Sequence, residues 1–383
     1  MLNTHIAIFG CGQLAQMTAR AGLKLGLSFT FIADPGEDAR CVEQLGDVVE
    51  CMPDMSAEDL FEAVNRPQVF TVEKEMVDTH LLEGLQTLAR VYPSAASVRI
   101  TQNRIREKNF VREHGIATAE FVEITSTEQL KTVINDFGLP IYIKAAESGY
   151  DGYHQWRITD KAAPFPQALI DAIANNVQLI AEKHVDYSRE VSVIAARSEN
   201  DEIVFYPLME NRHEDGVLIS TIAPAPNQVQ GLQSTAFEYM ATLLRAMDYV
   251  GVLTLECFET DNGIVVNELA PRVHNSGHWS IEGSQTSQFA NHSRAISGQA
   301  LGSTMSRGVS GMVNMLGKHG DPKAIIKSQV FYHRYGKEER PRRKLGHVTI
   351  KSAELSELIS QMNAVLHTLY ADQYPPLSLA SDQ

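Results

Sequence analysis

At 383 residues the chain is long enough for two or three packed domains rather than a single core. A formal net charge of -14 argues against a nucleic-acid groove or an anionic membrane surface, and no apolar run approaches the roughly 18 residues of a membrane-spanning helix. Cys11, Cys41, Cys51 and Cys257 share no metal-type spacing and read as reduced thiols of a cytoplasmic protein, and Met1–Gly10 lacks the basic flank of a signal peptide.

The first strand is "HIAIFG", from His5. "GCGQLAQMTARAGLKLG" then has helical spacing, and "LSFTFIAD" is a second strand. "VVE" near 49 and "VFTVE" at 69–73 add two more, with a helix capped by Ser56 between them. Such alternation predicts a doubly wound parallel sheet over the first hundred residues. "GCGQLA" also fits the G-x-G-x-x-A form of a dinucleotide turn, with Asp34 about 20 residues on to meet a ribose. The other reading is a tight turn into a packed helix, and nothing downstream offers a hydride-transfer site.

From Pro93 to Phe121 the pattern is helical, broken at Gly115. "LPIYIKAA" and "VQLIAEKHV" are strands around a helix at about 163–175, and residues 188–225 alternate as long antiparallel strands. "GYDGYHQW" between the first two is either a catalytic loop, its Gly149 and Gly152 admitting close ligand approach, or a surface turn. A helix at about 228–247 puts Leu232, Ala236, Tyr239, Leu243 and Met247 on its buried face, and an amphipathic helix covers about 352–370.

The strongest local pattern is the hairpin "VGVLTLECFETDNGIVVNELAPR". A three-residue loop, Asp261 to Gly263 with Gly263 left-handed, pairs 260 with 264, 258 with 266 and 256 with 268. Glu256 and Glu268 then face each other with Cβ atoms roughly 5 Å apart. Like charges so placed weaken a hairpin unless a cation joins them. Magnesium is suited, because it takes one or two carboxylates and completes its shell with substrate phosphates. Asn267 points to the other face unless the strand bulges. The plainer reading is two solvated acids on an exposed sheet. Arg272, just beyond, suits a bidentate oxyanion. His274 and His278 are four apart, but Gly277 between them argues against a zinc-binding helix.

These strings together resemble the ATP-grasp ligases, and more narrowly the 5-(carboxyamino)imidazole ribonucleotide synthases of purine biosynthesis. The resemblance spans nearly the whole chain. It rests on "GCGQLAQM", "FTVEKE", "QNRIREK", "IKAAESGYDGYHQW", "EKHVDYSREVSV", "NELAPRVHNSGHW" and "YGKEERPRRKLGH". It implies a fold of mixed α/β and α+β class. A Rossmann-like N-terminal domain (1–100) would precede an ATP-grasp lid with its linker (101–185) and a central ATP-grasp domain with a C-terminal substrate segment (186–383).

By the same resemblance the N-terminal domain binds no NAD. Gly12, Gln13 and Leu14 would instead help hold the phosphate of aminoimidazole ribonucleotide at a helix N-terminus. Arg104 and Lys144 would contact ATP phosphates, with Gly149, Tyr150, Asp151, Gly152 and Gln155 closing over them. Glu182, Lys183, His184 and Val185 would bind adenine, Glu190 the ribose, and His213 the nucleotide or second substrate. Glu256 and Glu268 would hold magnesium, or manganese in its place, with Asn267 nearby. Arg272 would face bicarbonate and the carboxyphosphate formed from it. Tyr150, Asp151, Glu73, His274, Asn275, Lys337, Arg343 and Lys344 would surround the ribonucleotide.

The implied reaction is ATP-dependent carboxylation of that ribonucleotide, with Asp151 or phosphate as the base, in a cytoplasmic homodimer whose other partners are small molecules. Two rivals stand beside it: an ATP-grasp ligase or formyl transferase acting on another nucleotide, and a nucleotide-binding paralogue without turnover. One departure is plain. Where the family's loop carries a basic pair, this chain has Ala145 and Ala146; where it has its first glycine, Ser148; and where a cation and a glycine follow Gly152, Tyr153 and His154.

Overall fold

The computed structural model describes residues 4–147 and 154–378. The first of three sheets has five parallel strands, in the spatial order Asp47–Glu50, Ser28–Ala33, His5–Phe9, Val69–Val72 and Arg90–Val91. Its three central strands are buried and largely apolar because helices cover both faces. Ile6, Ile8, Phe29 and Phe31 enter one core cluster, while Ala7, Phe9, Ile32 and Phe70 enter the other.

Strand order reverses on either side of His5–Phe9, so a crevice opens at the carboxyl ends of the strands. The glycine turn and Glu73 meet in it. Glu73 accepts from the Gly12 N–H at 2.5 Å and from the Ala15 N–H at 2.8 Å. Two amides at the start of helix Gln13–Leu23 thus meet the protein's own carboxylate, in the turn where a phosphate is expected. A Cβ on Gly12 would sit 2.6 Å from Glu73 Oε1, which is why glycine is needed. Gly12→Ala is expected to displace the carboxylate and destabilise this region by about 2 kcal/mol. An unchanged denaturation midpoint would contradict that contact.

The second sheet is antiparallel, ordered Phe121–Ile124, Leu179–Lys183, Ile141–Ala145, Gln155–Ile158. Helices Thr127–Phe137 and Gln167–Ala174 pack on it through Leu130, Val133, Ile134 and Leu169. The second helix starts later than its pattern suggests because Pro164 and Pro166 precede it, Pro166 standing at the cap.

The third sheet has nine strands and runs from the hairpin Gly251–Thr260 and Gly263–Ala270, through Arg189–Arg197, Met209–Glu214 and Val217–Ala223, to Val309–Leu316, Lys344–Ser352 and Val330–Arg334. Ile203–Phe205 pairs beside Arg189–Arg197. Helix Leu232–Ala246 covers one face with Leu232, Ala236, Met240, Leu243 and Leu244. Tyr239, expected on that face, is only partly buried, because the buried row runs through Met240. Helix Leu355–Tyr370 packs on the strands at the other end. All four cysteines are free thiols, and among the described residues no helix is long and apolar enough to cross a membrane.

Candidate functional site

The hairpin turns more tightly than its sequence suggests. Thr260 pairs with Gly263, so the loop is the two residues Asp261 and Asn262, and Cys257 pairs with Val266. A register shift between Glu256 and Cys257 leaves Asn267 as an unpaired bulge residue and restores Glu256 opposite Glu268. The expected carboxylate pair is present through two compensating departures, one residue fewer in the loop and one more in the strand. The bulge also turns Asn267 into the cleft that the pair faces.

That cleft measures about 530 Å³ and lies between the second and third sheets. Each carboxylate at its floor has a nitrogen partner. Arg104 Nη1 donates to Glu268 Oε2 at 2.7 Å, and His274 Nε2 is 2.8 Å from Glu256 Oε1. Burial would raise the Glu256 carboxyl, but His274, His213 and Arg272 hold it well below the usual range. Arg104 is aimed by its helix cap: Asn103 Oδ1 accepts from the amides of Ile105 and Arg106, and Nδ2 donates to Glu147 and Gln178. Arg272 donates to Glu75 Oε1 at 2.5 Å, which fixes its guanidinium at the cleft wall.

The residues expected to meet the nucleotide line the same cleft. Lys144 and Gln155 are cross-strand partners, and Lys183, His184 and Val185 form its rim. The Lys183 and His184 side chains turn to Glu120 and Asp186, leaving the linker backbone to the cleft. Glu190 and His213 face each other as an ion pair, and although burial lowers the imidazole pKa, Glu190 and Glu256 raise it overall.

Glu182, expected at the adenine, lines the cleft, and its carboxylate is held by Lys144 Nζ at 2.6 Å and Lys108 Nζ at 3.2 Å. Burial would raise its pKa, yet the two lysines bring it from an ordinary 4.5 down to about 2. The folded value lies below the unfolded one, so this stabilisation is whole above about pH 4.5 and is lost as the pH falls toward 2. Glu182→Gln is expected to destabilise the protein near neutrality and to flatten the acid limb of its stability profile. Superimposable acid limbs would contradict the double pairing.

Of the residues expected around the ribonucleotide, His274, Asn275 and Lys344 line the cleft. Both polar atoms of the Asn275 amide are buried with no protein partner. Lys337 donates to Gln13, and Arg343 Nη2 lies 3.2 Å from Asp38. These two cations, with Gly12, Gln13, Leu14 and Glu73, lie outside the cleft lining and tie the C-terminal segment to the first sheet. Gly149, Tyr150, Asp151 and Gly152, with Ser148 and Tyr153, fall outside the described residues.

Ala145 and Ala146 are only 2% and 1% exposed. The Ala146 carbonyl accepts from the Arg104 N–H at 2.9 Å, and its own N–H donates to Gln178 at 2.8 Å. They are packed residues, so a cation there would be forced toward the core. Arg157, unremarked in the sequence, lines the cleft instead, over the Tyr142 ring at 5.9 Å.

Known proteins place this geometry. A model of the ribonucleotide synthetase preATP-grasp domain matches residues 3–102, one of the ATP-grasp domain residues 109–289, and one of the phosphoribosylaminoimidazole carboxylase C-terminal domain residues 310–361. The N5-carboxyaminoimidazole ribonucleotide synthase of Pseudomonas aeruginosa is 37% identical over 361 residues, covering 94% of this chain and 98% of that protein. The chain belongs to the N5-carboxyaminoimidazole ribonucleotide synthase family. The synthetase structure from Thermus thermophilus superposes with a TM-score of 0.88 at 37% identity, covering 97% of this chain and 100% of that one. The synthase from Aspergillus clavatus, in complex with ADP and 5-aminoimidazole ribonucleotide, gives 0.84 at 26% identity, covering 96% and 98%.

As a synthase of this family the chain is an ATP-grasp ligase with a preATP-grasp domain, and the dinucleotide reading of its glycine turn is overturned. The structure agrees: Asp34 is paired with Lys74, and Glu73 fills the turn. Lys108, Glu75 and Arg157 went unmarked because charged side chains ordinarily read as solvated. For Lys108 one signal was available, its spacing four residues after Arg104, which sets both on one helical face.

Proposed function

We propose that the cleft carboxylates aminoimidazole ribonucleotide with bicarbonate, using ATP, as a step of purine biosynthesis. The observation that carries this reading is Glu256 opposite Glu268 beside Arg272, in one cleft with Lys144 and Lys344. The pair fits magnesium. Its donors are hard oxygens, and among the described residues no cluster of three or more His, Cys, Asp or Glu is set to hold an ion alone. Glu256 and Glu268 would hold the ion, with substrate phosphates and water as the further oxygens that magnesium prefers; manganese would serve in its place. When bound, the ion neutralises charge on the transferring phosphoryl group.

Arg104 and Lys144 neutralise phosphate oxygens, the backbone of Lys183, His184 and Val185 meets adenine, and Glu190 with His213 meets the ribose. A bicarbonate oxygen attacks the γ-phosphorus and ADP leaves. Arg272, held by Glu75, presents its fork to the bicarbonate and then to carboxyphosphate. Carboxyphosphate breaks into carbon dioxide and phosphate, and the exocyclic amine of the ribonucleotide captures the carbon dioxide. Its proton passes to Asp151 or to the departing phosphate. The unpartnered Asn275 amide supports a ligand contact on this side, next to His274 and Lys344.

The same reading divides the chain at 1–100, 101–185 and 186–383, and takes it as a cytoplasmic homodimer. ADP release is expected to require both bicarbonate and aminoimidazole ribonucleotide. ADP formation independent of the ribonucleotide, with no carboxylated product, would refute the reading.

A further inference from the structure

Helix Arg104–Glu113 grips one strand of the hairpin with two side chains from a single face, Arg104 and Lys108, spaced i and i+4. They meet consecutive residues of the strand. Lys108 Nζ donates to the Asn267 carbonyl at 2.9 Å and Arg104 Nη1 to Glu268 at 2.7 Å. Arg104 and Glu268 already belong to the nucleotide and metal reading. Lys108 does not.

Lys108 is only 2% exposed. Its ammonium donates to the Asn267 carbonyl and, at 3.4 Å, to Thr118 Oγ1, and it pairs as an ion with Glu182 Oε1 at 3.2 Å. Thr118 in turn donates to the Val266 carbonyl at 2.9 Å, one residue before the bulge. Glu182 continues the chain of contacts, its second oxygen accepting from Lys144 Nζ at 2.6 Å. Burying a lysine this deeply is unfavourable unless its charge is paired, and here the pairing carboxylate and the bonded carbonyl both belong to residues that line the cleft.

We propose that Lys108 is a positioning residue for phosphoryl transfer. It takes the carbonyl that the bulge frees from the ladder, and so keeps Glu268 opposite Glu256. It also anchors Glu182, which aims Lys144 at the nucleotide. One ammonium thereby ties the metal hairpin of the third sheet to the nucleotide-facing strand of the second. The proposal rests on the ATP reading of the cleft given above.

The test uses the full chain, with magnesium–ADP titrated calorimetrically and steady-state kinetics on both substrates. Lys108→Met is expected to weaken magnesium–ADP at least tenfold and to raise the KM for ATP as much. The KM for the ribonucleotide should move less than twofold, whereas a general loosening of the core would move both. Lys108→Arg keeps the buried charge but not the three-point geometry, and covers the case of a Met variant that does not fold. It should lose at least threefold in magnesium–ADP affinity. In the double variant with Glu182→Gln the combined loss should fall well short of the product of the single losses. Undiminished ADP binding in folded variants, equal effects on both substrates, or multiplicative losses would overturn the role. A wild-type protein that binds no magnesium–ADP would remove the nucleotide reading itself, and Lys108's role with it.

Discussion

Glu268→Gln is expected to lower ribonucleotide-dependent ADP release by roughly a thousandfold, about 4 kcal/mol of transition-state stabilisation. The substitution keeps the shape of the side chain and its reach to Arg104, so the hairpin should persist. What it removes is one of two anions facing each other across the strands. The remaining carboxylate, Glu256, is already engaged by His274. Raising magnesium concentration should recover binding but not the maximal rate, because one of the two carboxylates that would hold the ion is gone. A variant with ordinary turnover would show that Glu268 is structural, and that its contact with Arg104 is its whole purpose.

Arg272→Lys should cost at least about a hundredfold in kcat while leaving the KM for ATP within about threefold. The guanidinium is held between Glu75 Oε1 and the Val273 carbonyl, the latter at 3.2 Å, which leaves its planar edge to the cleft. Lysine can keep the charge and the bond to Glu75 but cannot offer two parallel donors to a planar oxyanion. Its loss should fall on bicarbonate and carboxyphosphate, so ADP released per carboxylated product should rise above one. A matched loss in ATP binding, with the ratio held at one, would move Arg272 to the nucleotide.

The residues that proved legible were those whose roles follow from local pattern. Alternation and the Asp-Asn-Gly turn identify the hairpin, and two glutamates on one face follow from counting. Yet the counting succeeds only because a shorter loop and the bulge at Asn267 cancel. Nothing in the local sequence marks a bulge, which depends on what takes the freed carbonyl, here a lysine 159 residues away. Glu73 shows the same limit. Its string is conspicuous, but its place on the amides of Gly12 and Ala15 depends on two strands lying side by side. Ala145 and Ala146 read as missing cations until their burial makes them packing residues. In each case the unread part is a long-range contact of a polar group, which periodicity does not encode.

The central claim is that this cleft activates bicarbonate on ATP before the ribonucleotide amine is carboxylated. Oxygen-18-labelled bicarbonate, supplied with ATP and aminoimidazole ribonucleotide and sampled before its label exchanges with water, tests it directly. One labelled oxygen should appear in each phosphate released, in step with carboxylated product. Phosphate carrying no label, with product still forming, would show that bicarbonate oxygen never bonds to the γ-phosphorus and would contradict the account.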